Sequence, residues 1–107
     1  MKIAVSATEG TMSSSVEPRF GRSKWFLLID SETGEHKVMD NLDAAESPSG
    51  AGIATAQRIV DAGTECVLTG RVGPNASRVL EQAGIRVIDG VTGSVKDAAE
   101  KAGRGEV

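Results

Sequence analysis

The residue pattern predicts an α/β domain built on a five-stranded mixed sheet with three helices. Three observations carry this. The chain opens on a short apolar, β-branched run, a hairpin signature follows, and after Gly50 the apolar spacing changes to a helical period interrupted by short strand-like runs.

Lys2–Ala7 is apolar and β-branched, the pattern of a buried strand. A polar loop rich in Gly and Ser follows from Thr8 to Ser23, a length that in compact domains often carries function. Lys24–Asp30 reads as the second strand, Ser31–Gly34 as a hairpin turn and His36–Asp40 as the third strand. Asn41–Ser49 reads as irregular, broken by Pro48. Ile53, Ala56, Ile59 and Val60 then share one helical face, with Ala62-Gly63 as the stop. Cys66–Thr69 forms the fourth strand. Pro74 suits the first turn of the next helix, whose apolar face is Ala76, Val79, Leu80 and Ala83, closed by Gly84. Ile85–Ile88 is the fifth strand. Ser94, with Asp97 three residues on, resembles a capping box for a last helix of Val95, Ala98, Ala99 and Ala102.

Right-handed crossovers make strands one, four and five parallel, with the hairpin beside strand one. The expected order is 3-2-1-4-5, with strand two antiparallel. The loops starting at Thr8, Asn41, Gly70 and Asp89 then meet at one edge, around the switch point where open α/β sheets place ligands. That edge collects Arg19, Arg22 and Arg71, with Lys24 nearby, together with the N-termini of the three helices. Helix N-termini favour anions, guanidinium groups bind them in planar, multidentate fashion, and glycines let backbone amides approach closely. The sequence thus predicts a pocket for something negatively charged.

Composition sets the limits. The 107 residues suit one domain, 1–107. A hydrophobic content of 39% and a charged content of 25% are those of a globular protein. The net charge of −3 argues against nucleic acid or an anionic membrane as the main partner. No apolar run approaches 18 residues, the N-terminus enters a strand directly, and the single Cys cannot form an internal disulfide. A cytoplasmic location is expected. With aromatics limited to Phe20, Trp25 and Phe26, the core rests on Val, Ile, Leu and Ala. Trp25 and Phe26 fall on opposite faces of strand two. Either one is core and the other walls the pocket with Phe20, or both simply pack against helices.

Metal ligation and catalysis are poorly supported. Cys66 starts strand four, about 10 Å from the Gly70 end at roughly 3.3 Å per residue, and reads as a small buried apolar residue. His36 follows the hairpin turn at the opposite edge and reads as a surface residue. No zinc-type spacing exists, and no Ser-His or Cys-His pair can form at the loop edge. Met12, the one soft donor near the expected pocket, reads as a loop residue covering apolar surface. Strand one offers no carboxylate for a two-metal nuclease, the Gly-Lys-Ser/Thr of a P-loop is missing, and Gly50-Ala51-Gly52 lacks the third glycine of a dinucleotide fingerprint.

Lys2-Ile3-Ala4-Val5, Arg19-Phe20-Gly21-Arg22, Trp25-Phe26, Gly50-Ala51-Gly52, Gly70-x-x-Gly73-Pro74-Asn75-Ala76 and Ala83-Gly84-Ile85-x-Val87 together resemble the dinitrogenase iron–molybdenum cofactor biosynthesis family, over nearly the whole chain and in order. The resemblance implies a ribonuclease-H-like fold, and a binding protein, not an enzyme, that carries or helps build molybdenum- or iron-containing sulfide clusters. Many members have His before Phe-Gly-Arg; here position 19 is Arg, as in the orange protein subgroup. That subgroup implies a molybdenum–copper sulfide cluster held without covalent protein ligands, with an iron–molybdenum–sulfur cluster as the other family cargo. On this reading Arg19, Arg22 and Arg71 are charge partners. Gly50, Ala51 and Gly52, and Gly73, Pro74, Asn75 and Ala76, line the amide-donor segments. Asn75 adds a side-chain donor or only stabilises the helix start. Gly21 and Gly70 belong to the same segments, and Phe20, Met12 or Val72 cover the soft sulfurs. Family association also implies P-loop ATPases as partners. The alternative is a regulatory module binding a phosphate- or nucleotide-type anion at the same edge.

Overall fold

The computed structural model describes residues 1–106. Strands β1 (Lys2–Ala7), β2 (Trp25–Asp30), β3 (His36–Asp40), β4 (Cys66–Leu68) and β5 (Arg86–Ile88) form one sheet in the order β3-β2-β1-β4-β5. β1 runs parallel to β4, and β4 to β5, whereas β2 is antiparallel to both β1 and β3. This is the expected topology. Helices α2 (Ala51–Asp61), α3 (Pro74–Gln82) and α4 (Val95–Gly103) lie where the apolar spacing put them.

The expectation of three helices needs one addition. The stretch expected to be irregular contains a fourth, four-residue helix, α1 (Leu42–Ala45). Asp40 turns the chain into it, its Oδ1 accepting the Leu42 N–H at 2.9 Å. Inside the long first loop, Phe20–Arg22 forms a single 3₁₀ turn. Such single-turn elements leave no apolar periodicity to read.

The two faces of the sheet bury different sets. Alternation along β1 sends Ile3, Val5 and Ala7 to one side, where they meet Leu27, Ile29, Cys66 and Leu68 and the Val95, Ala98, Ala99 and Ala102 stripe of α4. Ala4, Phe26 and Val67 point the other way, onto Ala56 and Ile59 of α2 and Ala76 and Leu80 of α3. Phe20 joins that second core. It is 1% exposed and meets Phe26 edge to face, with ring centroids 5.4 Å apart. Phe20 is therefore a core residue and not a wall of an anion pocket: in a chain with so few aromatics, its ring fills space under the loop.

Candidate functional site

Three segments converge beyond the ends of β1 and β4. The first, residues 17–23, is laid down by backbone bonds. Glu17 N–H donates to Ser6 O at 2.9 Å, and Phe20 N–H donates to Arg71 O at 3.0 Å. Beneath it, the buried hydroxyls of Ser6 and Thr69 are 2.7 Å apart, and Ser6 Oγ donates to Glu17 O at 2.8 Å. The result is an isolated parallel bridge between Arg19 and Arg71. Residues facing each other in such a bridge lie about 5 Å apart and project to the same side. The backbone thus sets two exposed arginines side by side. Glu17 stands beside them as a counter-charge, its Oε1 3.6 Å from Arg19 Nε.

The glycines of the motifs divide by what surrounds them. A Cβ on Gly70 would sit 2.6 Å from the Pro18 backbone, and one on Gly21 would sit 2.9 Å from Gly52 Cα. Gly70 and Gly21 are therefore needed so that backbones can touch. Gly50, the N-cap of α2, sits at φ 73°, the left-handed region that favours glycine. Gly73, the N-cap of α3, is different. Its φ of −71° suits any residue, and a Cβ there would meet nothing within 4 Å.

The third feature is the pair of helix N-termini. A Cβ on Gly52 would lie 3.3 Å from the Ala76 Cβ, so the first turns of α2 and α3 are in contact. Neither Gly50 nor Gly73 caps its helix with a side chain, and no acidic residue stands in either first turn. Such turns leave N–H groups and a partial positive charge pointing outward. α4 also starts at this edge but is closed by its own chain. Ser94 Oγ accepts the Asp97 N–H, while the Val95 and Lys96 N–H groups donate to Ser14 O and Met12 O.

The structure brings together Arg19, Gly21, Gly50, Ala51, Gly52, Gly70, Arg71, Val72, Gly73, Pro74, Asn75 and Ala76, and separates others. The Arg22 guanidinium lies in the same region but is engaged otherwise. Its Nη1 donates to Ala45 O at 3.0 Å and Ser47 O at 2.8 Å, clamping the α1 segment. Met12 packs against the α4-side core, across the sheet from α2 and α3, and lines a cleft of about 410 Å³ with Ala99 and Gly103. It is a loop residue covering apolar surface. A second cleft, of about 500 Å³, lies at the far end of the sheet between Lys2, Leu28, Lys37 and Thr64. Neither cleft includes Arg19 or Arg71.

Asn41 is a residue the sequence reading missed. Fully buried, its Nδ2 donates to Ser23 O and to Thr55 Oγ1, both at 2.9 Å, and its Oδ1 accepts from Arg58. One amide thus ties the end of the 17–23 segment to α2. An Asn that follows a strand and opens an irregular stretch gives no signal of that in sequence.

Among the described residues, no group of three or more His, Cys, Asp or Glu side chains is placed to hold a metal ion. Cys66 is buried in the α4-side core, and desolvation pushes its thiol pKa up, away from the thiolate that binds metals. His36 is exposed at the start of β3. The donors available at the rim suit a complete anion, not a bare cation.

A family profile described as dinitrogenase iron-molybdenum cofactor matches residues 1–105. The chain belongs to that family. The apo form of the orange protein (ORP) from Desulfovibrio gigas superposes with a TM-score of 0.95 and 36% identity, covering 99% of this chain and 89% of that one. The Thermotoga protein TM1290 gives a TM-score of 0.83 at 30% identity, covering 98% of this chain and 89% of that chain. PH0822 gives 0.82 at 28%, covering 99% and 93%. The Methanocaldococcus jannaschii protein MJ0580 is 30% identical over 99 residues, 91% of this chain and 80% of its own length. The expected family, the orange-protein likeness and the α/β fold all hold, and the family ties the chain to cofactor-related binding. Among the described residues, no helix is long and apolar enough to cross a membrane.

Proposed function

We propose that this protein is a non-enzymatic carrier or assembly scaffold for an anionic metal–sulfur cluster of the molybdenum–copper sulfide type, held without covalent protein ligands. The observation that carries the reading is the Arg19–Arg71 bridge set beside the uncapped first turns of α2 and α3. A thiomolybdate-type cluster brings its own sulfide ligands and a negative charge. It needs charge partners and N–H donors, which this rim offers, and no thiolate or imidazole. Arg19 and Arg71 serve as charge partners, and the Gly50–Gly52 and Gly73–Ala76 backbones as donors, while Val72 gives apolar cover. Arg22 acts indirectly, by holding the α1 segment and hence the entry to α2. Family association extends the proposal to an iron–molybdenum–sulfur cluster as alternative cargo and to P-loop ATPases as partners.

The test is reconstitution with tetrathiomolybdate and copper, followed by desalting, visible absorption and metal analysis. Stoichiometric colour with molybdenum and copper retained is expected. Arg19→Gln with Arg71→Gln should weaken retention about tenfold or more, as losing charge-assisted contacts of ~1.5–3 kcal/mol implies. Colourless protein that is instead thermally stabilised by phosphate or a nucleotide would replace this reading with the regulatory one.

A further inference from the structure

β3 carries an arrangement that the rim does not use. It is an outer strand of the sheet, and its residues are exposed except for half-buried Met39. Asn41 N–H donates to Lys24 O at 2.8 Å and Asp30 N–H donates to Glu35 O at 2.9 Å, with unbroken register between them from Trp25 opposite Asp40 to Ile29 opposite His36. Hydrogen-bonded pairs alternate along an antiparallel ladder, so Glu35, Lys37, Met39 and Asn41 turn their backbone groups toward β2. His36, Val38 and Asp40 therefore turn theirs outward.

An outward row of that kind is a template for another strand, and the side chains say which one. Placed antiparallel to a copy of itself about Val38, the segment His36-Lys37-Val38-Met39-Asp40 sets Val38 against the partner's Val38. His36 then faces the partner's Asp40 on each side, an imidazole against a carboxylate, all on one face of the strand. Lys37 meets the partner's Met39, so no like charges stand opposite each other. Val38 is 45% exposed, one of the large apolar side chains left in solvent. Asp40 is held at the strand end by its bond to the Leu42 N–H, and its carbonyl takes a long 3.4 Å bond from Arg58. The other outer strand, β5, offers no such match: three residues centred on Val87 would set Arg86 against the partner's Ile88.

We infer that two copies of this chain associate edge to edge through β3, joining their sheets into one of ten strands about a two-fold axis at Val38. Five residues a side make a small interface, so the dimer is a weak one in exchange with monomer. Sedimentation velocity of the full chain from roughly 10 µM to 1 mM, the range of weak affinities, tests it. The average mass should rise with concentration from 11.1 kDa toward twice that value. Amide exchange at His36, Val38 and Asp40 should slow over the same range. Val38→Pro removes an outward N–H and leaves the β2 ladder intact; Val38→Lys sets two like charges at the axis. Each should weaken association at least tenfold while thermal unfolding shows a folded monomer. Wild-type protein that stays at monomer mass throughout, or either folded variant associating as the wild type does, overturns the inference.

Discussion

Gly73→Ser separates a glycine kept for the fold from one kept for a ligand. At φ −71° and ψ 164°, the position has the extended geometry of an N-cap, and its Cβ direction is open. Serine fits without strain. Its Oγ can accept the N–H of Asn75 or Ala76, the first donors available after Pro74. A Ser cap is better than Gly by a few tenths of a kcal/mol. Replacing Gly where the backbone permits also removes unfolded-state entropy worth about 0.4–1 kcal/mol. The sum, about 1 kcal/mol, should raise Tm by roughly 4–8 °C in a domain of this size. The same hydroxyl takes the amide donors assigned to the cluster and fills the space above them. Losing one charge-assisted hydrogen bond of ~1.5–3 kcal/mol weakens retention about tenfold to a hundredfold. The assays are thermal unfolding of ligand-free protein and equilibrium dialysis of the tetrathiomolybdate–copper cluster. A variant with raised Tm and undiminished retention would show that the α3 N-terminus does not touch the cargo.

Arg22→Met should lower stability by about 1 kcal/mol, less than a fully buried charged pair because the side chain is partly solvated. It should reduce retention less than the Arg19/Arg71 double change; an equal or larger loss would make Arg22 a direct contact. Cys66→Ser places a hydroxyl in an apolar core and should cost about 1–3 kcal/mol in denaturant unfolding, with cluster retention per folded molecule unchanged. Retention lost there would mean that the thiol ligates the cargo. Asp30 is held below its ordinary value of 3.8, first of all by the Glu32 N–H. Because the folded value is the lower one, Asp30 contributes fully above its unfolded pKa, and that contribution is lost as pH falls through the folded value. An NMR titration of Asp30 should give a midpoint below 3.8, and Asp30→Asn should flatten the acid limb of the stability curve.

The strands were legible because each is a run of apolar or alternating residues with turn chemistry at its ends, and Ala62-Gly63, Pro74 and Ser94 mark helix ends by local rules. Sheet order followed from connection handedness. The rim was legible only as a gathering of loops. Sequence could not say that Arg22 faces two carbonyls, because that depends on α1, a helix too short to leave a period. Nor could it send Met12 across the sheet or bury Phe20, since those outcomes depend on which face the Thr8–Ser23 loop crosses.

The motif glycines show how closely the segments of the rim are packed. Gly70 lets Pro18 lie against β4, which sets Arg19 in register with Arg71; Gly21 lets the same segment lie on Gly52, which sets it against α2; Gly52 in turn lets α2 approach Ala76. Each contact is backbone against backbone or against a methyl, with little room to adjust. The backbones of Arg19 and Arg71 are therefore held side by side, with Glu17 as a counter-charge beside Arg19. Under the proposed function, an anion at this rim meets donors already placed by the fold, which is how a preorganised site binds tightly. On the same proposal, the arginines govern the strength and salt dependence of binding, whereas Gly73 governs whether the cargo can approach the helix ends.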